Sequence, residues 1–527
     1  MSKGKKITVK ILKIFGWILL GVFILIIGLL LFIRSPWGQD IVVTKATEYL
    51  EGELGTRVDV GRLFITFRGD LYLEDLYMED ESGDTLVYSR SLETGVALLP
   101  LIRTGAINIS RFHWDGFRAN ISRDEASERF NFDYILDTFL SDEPEEEAVV
   151  QDDTEGDMPE VSLGPVRLTN FHLNYQDEVM GIDSYFKMGS LALDMERLDL
   201  QAMDFYIEDF TFENSDIFYR QTKPFEPTEE DTLVSDSPMP VLIVDNFAIN
   251  NVKAFYESIP DGMLADVNLG QFLVNLPEAD LERNKIMLKH IRLHDSDIIF
   301  KTTAVDLPDS PEEAAEDVEE VAEEFQWPEW LVEIGEISLQ NNNILYQDGE
   351  TAPREGAFNA QAVHIQNLNL LVNNFYLKEE RAGLRLDEFN FKDESGFALN
   401  EFKFKLAVSE EEFSLENLLL QTNKSFLEGN VALQYNSIQQ LLDDVEHAQF
   451  AMNIPRMEIH LDEAYLFAPE LRSEEYFREA ARHPLTGQIA VSGDFDALDI
   501  PTFRLNWARD TRVLASGSVR NPMDVDN

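Results

Sequence analysis

The spacing of apolar positions changes twice along the chain. Ile14 to Ile33 is an uncharged run of 20 residues between Lys13 and Arg34. At about 1.5 Å per residue it measures about 30 Å, the thickness of a bilayer core. Trp17 and Trp37 lie near its two ends, where amphipathic rings favour the membrane–water boundary. The run is longer than the apolar part of a signal peptide, and Arg34-Ser35-Pro36-Trp37 follows it instead of a small-residue cleavage site. It therefore reads as an uncleaved transmembrane anchor marked by Ile14, Trp17, Ile33 and Trp37.

Over residues 37–54 the period becomes helical. Trp37, Ile41, Val42, Ala46, Tyr49, Leu50 and Leu54 recur at three- and four-residue steps, and Gly55 is the expected stop. Beyond Gly55 the period is two. Leu71 and Leu73, then Leu76 and Met78, predict short strands. So do Leu191, Leu193 and Met195; Phe402 to Val408; and Val431, Leu433 and Tyr435. Residues 438–443 and 463–481 are further helix candidates.

One pattern recurs among the strands: apolar, any, apolar, any, Asn or Asp, two variable residues, apolar, any, aromatic. Five copies run Val166–Tyr175, Phe210–Tyr219, Phe247–Tyr256, Ile291–Phe300 and Ile337–Tyr346. Their starts are 44, 37, 44 and 46 residues apart. A looser copy, Phe112–Ile121, has Gly116 in the Asn position. Each copy reads as a hairpin whose turn residue tolerates left-handed backbone angles, with the tenth position on the face of the first and third. Asp80-Glu-Ser-Gly83 and Asp393-Glu-Ser-Gly396 mark other turns. At about four to five strands per copy and about 4.8 Å per strand, each copy adds about 20 Å of sheet. The apolar face then needs a cover. An elongated groove filled by acyl chains is one answer, and a sandwich or solenoid covering itself is the other.

Charge changes this picture. The 527 residues hold 98 acidic and 43 basic side chains, a net charge of −55, and no cysteine. Residues 1–34 hold six of the basic side chains and no acidic one, so the remainder carries −61. Sequence-general nucleic-acid binding needs clustered Lys and Arg and is disfavoured, as is adhesion of the bulk to an anionic membrane. The absence of cysteine removes disulfides, thiol catalysis and Cys–zinc sites. The Lys-rich tip 1–13 belongs in the cytoplasm, which places the bulk across the membrane, in the periplasm of a two-membrane cell. Stretches 141–160, 222–240 and 307–326 are acidic and read as solvated loops inserted between strands.

No motif for catalysis, phosphate or metal binding is present, so no catalytic, cofactor or metal residue is expected. His290 and His294 are about 13 Å apart on one face of a strand, too far for one metal. Trp327-Pro328-Glu329-Trp330 reads as an aromatic plug closing a strand end, or as a ligand clamp.

Several segments carry a resemblance to a known family. They are the anchor followed by a helix, Leu54-Gly55-Thr56-Arg57-Val58-Asp59-Val60-Gly61, and Leu71 to Asp80. Leu99-Pro100-Leu101-Ile102 leads into Phe117 to Asp124, and Ala464 to Leu471 precedes Gly487 to Gly493. Together they resemble the AsmA-like superfamily, and within it the TamB family of translocation and assembly module subunits, in its long Bacteroidetes-type form. The resemblance covers nearly the whole chain, with patterned motifs and no invariant residue. It implies a mainly β fold: an N-terminal transmembrane helix, then an elongated, twisted, taco-like antiparallel repeating β-groove with a few short helices. It also implies phospholipid transport toward the outer membrane. TamB-type members pair with an Omp85-class outer-membrane barrel and assist assembly of autotransporters and other barrel proteins.

The expected layout follows: tip 1–13, anchor 14–33, helix 37–54, repeating groove 56–436, helix-containing insertion 437–485, and the start of further groove at 486–527. The last part stops without the family's terminal portion, as an N-terminal fragment would, so an Omp85-class barrel is expected as a partner only through a C-terminal region missing here. The expected groove lining is Val166, Leu168, Phe210, Phe212, Phe247, Ile249, Ile291, Leu293, Ile337 and Leu339. Phospholipids and the inner membrane are the expected partners. The rival reading is an assembly scaffold whose sheet edge captures client strands.

Overall fold

The computed structural model describes residues 35–65, 70–96, 107–139, 161–225, 239–303, 325–494 and 496–520. The tip 1–13, the anchor 14–33 and the acidic stretch 141–160 lie outside the described residues, as do most of 222–240 and 307–326. Among the described residues no helix is long and apolar enough to cross a membrane. The fold is mainly β and divides into two compact units, residues 1–201 and 202–527. Each is described by itself.

The first unit opens with helix α1, Pro36–Leu54. Ser35, in extended backbone, caps it by accepting from Gly38 N–H at 3.0 Å. Gly55 ends it at φ 71°, as expected of the only residue type without a Cβ penalty there. Strands β1 (Val58–Ile65), β2 (Leu71–Glu79), β3 (Thr85–Val96) and β4 (Ile107–Arg123) pair antiparallel in sequence. Helix α2 spans Asp133–Phe139. Strands β5 (Val161–Leu163) and β6 (Val166–Asp177) both pair parallel with β4, and β7 (Ile182–Asp199) pairs antiparallel with β6.

The apolar stripe of α1 divides. Leu54 is buried with Val58, Leu86 and Tyr134, and Leu50 packs against that cluster. Burying such side chains contributes about 1.5–3 kcal/mol each. Tyr134 Oη also donates to the carbonyl of Glu79 at 2.8 Å, so helix α2 is fixed to β2. Ile41, Val42 and Tyr49 do not join the core and stay exposed.

The second unit holds the remaining strands: β8 (Asp204–Gln221), β9 (Val241–Ser258), β10 (Met263–Asp280), β11 (Lys285–His294), β12 (Asp297–Thr302) and β13 (Leu331–Asp348). Strand β8 pairs parallel with β9, and β11 and β12 pair parallel with β13, while β10 runs antiparallel to β9, β11 and β12. From β13 the sheet is an antiparallel meander: β14 (Ala362–Lys378), β15 (Arg381–Asp393), β16 (Ala398–Ser409), β17 (Glu412–Thr422), β18 (Phe426–Gln434), β19 (Gln449–Ile459), β20 (Leu485–Gly493), β21 (Ala497–Trp507) and β22 (Thr511–Arg520).

The repeat copies are not hairpins. Copies one, two, three and five are each one continuous strand, in β6, β8, β9 and β13; the fourth runs from β11 into β12. The Asn or Asp does adopt the left-handed backbone, at φ 53–57° in all five copies, and Gly116 does so at 73°. It forms a local bulge shared by neighbouring strands, with the flanking residues paired in unbroken register, rather than a turn that reverses the chain. Only β7 and β10 intervene among the five copies, so a copy contributes about one strand and not four to five. Leu71 to Met78 likewise form one strand, with Asp75 at φ 51° in its middle.

Parallel neighbours need a crossover connection. The three parallel junctions, β4 to β6, β8 to β9 and β12 to β13, are where the three acidic stretches fall in the sequence.

The segment 437–485 also differs from expectation. Strand β19 lies in its middle and pairs with both neighbours. Helix α3, Ile438–Asp443, is as expected. The span 463–481 is broken into short 3₁₀ turns (Leu461–Leu466, Pro469–Arg472) and helix α4, Glu475–Ala480. Pro469 cannot continue a helix begun before it. Both Asp-Glu-Ser-Gly segments are turns, with Gly83 at φ 83° and Gly396 at 92°.

Candidate functional site

The left-handed residue and the residue opposite it are both left unpaired while the register continues unchanged, and side-chain parity switches as the strand passes them. Positions one and three therefore share a face with positions six, eight and ten. The rings at β4 and β6 display this. Trp114, at position three, lies 4.6 Å from Phe117 and 5.2 Å from Phe171, both at position six. Positions four and nine face the other way. Thr169 Oγ1 donates to Asp115 at 2.7 Å, and Asn174 Nδ2 donates to Asn120 at 2.7 Å. Each copy thus presents one face that is apolar at positions one, three and eight, with Ser or Asn at position six in the second, fourth and fifth copies, and one hydrogen-bonded face.

The copies pair with one another, position against position. Phe210 aligns with Phe247 and Phe212 with Ile249 in the parallel pair β8–β9. Ile291 aligns with Ile337 and Leu293 with Leu339 across β11–β13. Val166 aligns with Phe112 of the loose copy, and Leu168 with Trp114. Like rings stack as a result: Phe210 on Phe247 at 4.7 Å, Tyr219 on Tyr256 at 5.3 Å and Phe300 on Tyr346 at 6.2 Å. All ten expected lining residues are half-buried and none is fully buried. Position six is buried in four copies, with Ser215, Val252, Ser296 and Asn342 at most 7% exposed, whereas Phe171 of the first copy is half-buried.

The bulges align across neighbouring strands. In the first unit the line runs through Gly61, Asp75, Arg90, Gly116, Asn170 and Gly189, read between the flanking paired residues. In the second it runs through Asn214, Asn251, Gly270, Asp295, Asn341 and Asn369. A side-chain ladder follows it on the polar face. Asn170 donates to Asp115 at 2.7 Å, Asn251 to Asn214 at 2.8 Å and Asn341 to Asp295 at 2.8 Å. Buried Asn342 satisfies the bulge itself: it accepts from Ser296 N–H at 3.0 Å and donates to the Leu293 carbonyl at 2.7 Å. Gly270 is required because a Cβ there would lie 2.4 Å from the Asp295 carbonyl oxygen.

Where Gly116 removes the ladder side chain, its neighbour Asp115 takes over. Burial raises the Asp115 carboxyl pKa, but hydrogen bonds from Asn170, Thr169 and Arg90 outweigh it and hold the group below the ordinary carboxylate value. His290 and His294 lie on the polar face and are half-buried. His294 Nε2 is 3.1 Å from Ser338 Oγ, and burial, then the Arg292 charge, lowers the His290 pKa. Trp327 donates to Glu410 at 2.8 Å and packs on Phe325 at 5.6 Å, and the Phe325 N–H donates to Gln439 at 2.6 Å. That segment spans from the start of β13 to the β16–β17 turn and α3, the position of a strand-end plug. Among the described residues there is no group of three or more His, Cys, Asp or Glu able to hold a metal.

Four further bulges follow the same spacing without the terminal aromatic. They centre on Asp75, Asn367, Asn374 and Asn417, at φ 50–54°. Val363, Ile365, Asn367 and Leu370 fit the first eight positions, as do Phe413, Leu415, Asn417 and Leu420. Requiring an aromatic at position ten hid them, because Asp80, Val372, Glu379 and Thr422 stand there.

The chain matches no protein-family model, no curated protein and no solved structure.

Proposed function

We propose that this chain is an inner-membrane-anchored periplasmic bridge that carries phospholipids toward the outer membrane along the apolar face of its repeat strands, in the manner of the AsmA-like proteins it resembles. The observation that carries the reading is the half-buried state of all ten lining residues, on a face whose reverse is hydrogen-bonded throughout the repeat. Acyl chains bind by area alone, at about 0.8 kcal/mol per buried CH₂, and need no catalytic group. The aligned bulges favour a bend at one level of neighbouring strands, and the apolar first and third positions of the copies line the floor beside it. Acyl chains lie along this floor, and headgroups stay in water at the rim.

The test is mass spectrometry of lipids co-purifying with the full chain. Phospholipid should be present and should largely disappear in the Phe212→Asp/Leu293→Asp double variant. Lys253→Asp, on the exposed polar face, should retain it. A chain without lipid, or a double variant that keeps its lipid while remaining folded by circular dichroism, defeats the reading.

A second reading, an assembly scaffold for outer-membrane proteins, has one observation in its favour. All ten residues of β22 are exposed, and among the described residues it pairs with β21 alone. Such an edge accepts an added strand. Photo-crosslinks from β22 to β-barrel clients, with none from Phe212 to lipid, would favour the scaffold.

A further inference from the structure

In the second unit the two ends of the repeat strands differ. Toward the strand starts, every second row stays apolar: Phe205 beside Leu242, Ile207 beside Val244, Ile286 beside Val332 and Leu288 beside Ile334. Toward the other end the apolar stretch finishes in hydroxyls. Position ten is Tyr219, Tyr256, Phe300 and Tyr346 in the successive copies, and two residues on stand Gln221, Ser258, Thr302 and Asp348.

Tyr219 Oη donates to Gln221 at 3.2 Å, so its ring points along the strand toward that end. Tyr256 stacks on Tyr219 at 5° and Tyr346 on Phe300 at 9°, each pair in the same register, so the rings lie alike. The residues that stand where Gln221 does are engaged elsewhere. Ser258 donates to Asp261 at 2.6 Å, and Asp348 accepts from Thr302 at 2.6 Å. Tyr256 and Tyr346 are 37% and 38% exposed, and their hydroxyls make no hydrogen bond among the described residues. Each also borders a strand that has no ring at that level, with Ala265 of β10 beside Tyr256 and Val363 of β14 beside Tyr346. Ala265 pairs with Phe300 as well, so a notch two strand spacings wide, about 10 Å, separates the two ring pairs. A recess of about 290 Å³ opens at this strand end, lined in part by Ser258, Met263, Lys301 and Thr303. The Lys301 ammonium has no carboxylate partner among the described residues, although the chain carries a net charge of −55.

We propose that this end of the face seats phospholipid headgroups. The phosphate accepts a hydrogen bond from the Tyr256 hydroxyl over Ala265, or from the Tyr346 hydroxyl over Val363, and the acyl chains run toward position one. The proposal rests on the lipid reading of the face and adds the direction in which the lipid lies. An amphiphile matches the strand point by point. Its hydrocarbon meets positions one, three and eight, and its polar boundary meets tyrosine, whose ring is apolar and whose tip is wet. Its anionic charge meets an unpaired ammonium. Positions ten and one are nine residues apart, about 30 Å, which is about twice the hydrocarbon depth of one bilayer leaflet. The chains therefore end on the apolar floor, and the reverse orientation would set the phosphate among the apolar rows at the strand starts.

The test loads the full chain with phosphatidylcholine carrying a photoreactive diazirine either on the choline or at the acyl terminus, and maps the crosslinked peptides by mass spectrometry. The choline probe should label Tyr256–Ala265, Lys301–Thr303 and Tyr346–Asp348, and the acyl probe Phe247–Val252 and Ile291–Ser296. Choline labelling at the strand starts, or the same peptides labelled by both probes, overturns the seat and leaves the carrier reading standing. No labelling by either probe removes the carrier reading and the seat together. A second arm uses the Tyr256→Phe/Tyr346→Phe variant, which keeps both ring stacks and loses both hydroxyls. Its affinity for dioleoylphosphatidylcholine should fall roughly fivefold to tenfold, while dioleoylglycerol, with the same chains and no phosphate, binds as it does to the parent chain. An unchanged phosphatidylcholine affinity, or an equal loss for both lipids, overturns the hydroxyl–phosphate contact.

Discussion

At the scale of single residues, asparagine recurs in the repeat because two demands coincide there. The backbone must be left-handed, which costs most L-residues about 1–2 kcal/mol, and asparagine tolerates it. The side chain must also bridge to the next strand, as Asn251 does to Asn214. Asn251→Val should therefore destabilise the chain by about 2 kcal/mol and Asn251→Gly by less, measured by urea unfolding. Asp115 offers a pH test. Its folded-state pKa is lowered. Its stabilisation is thus complete above the unfolded value of about 4 and is lost as pH falls through the lower folded value. Asp115→Asn should flatten the acid limb of stability against pH, and a limb as steep as in the parent chain would show that the carboxylate is not held as described. The left-handed residues were legible in the sequence, since few residue types fill that conformation. The partners that satisfy them were not, because they come from strands 37 to 55 residues away.

At the scale of elements, glycines distinguish close approach from idle flexibility. Gly270→Ala places a Cβ against two backbone carbonyls, at 2.4 and 2.8 Å, neither of which can move without distorting β11. The cost should exceed about 2 kcal/mol. Gly52→Ala, in α1 with open space around it, should stabilise by about 0.5–1 kcal/mol. Thermal unfolding of both variants checks the contrast; equal effects would mean that the bulge line is not tightly packed. Helix α1 and its glycine stop were legible because period and cap agree locally. The repeat was read as a hairpin for a physical reason. Asn between two alternating runs signals either a turn or a bulge, and the difference is whether the chain reverses, which local sequence does not encode.

At the scale of the whole molecule, the described core is small. Seventeen hydrophobic residues are buried in the described part of a 527-residue chain. A chain that covered its repeat face with its own strands would bury the lining positions, and it leaves them half-buried. The native protein should therefore bind Nile red with a blue-shifted emission while its circular dichroism is intact, and phosphatidylcholine should displace the dye. Dye binding that begins only as the protein unfolds would mean that the face is covered. The charge of −55 is compatible with such a face, because it keeps the remaining surface hydrated and discourages edge-to-edge association.

The sequence by itself determined the periodic content: a 20-residue apolar run, a capped helix, alternating strands and a left-handed residue at the fifth position of each copy. These are local properties, set by side-chain sterics and by which face each residue takes. Only the tertiary structure decided that the copies stand beside one another in parallel, in matching register, with acidic connections at each parallel junction. It also decided which face of α1 is covered. Pairing direction and burial depend on contacts between residues tens of positions apart, and no window of sequence contains both partners.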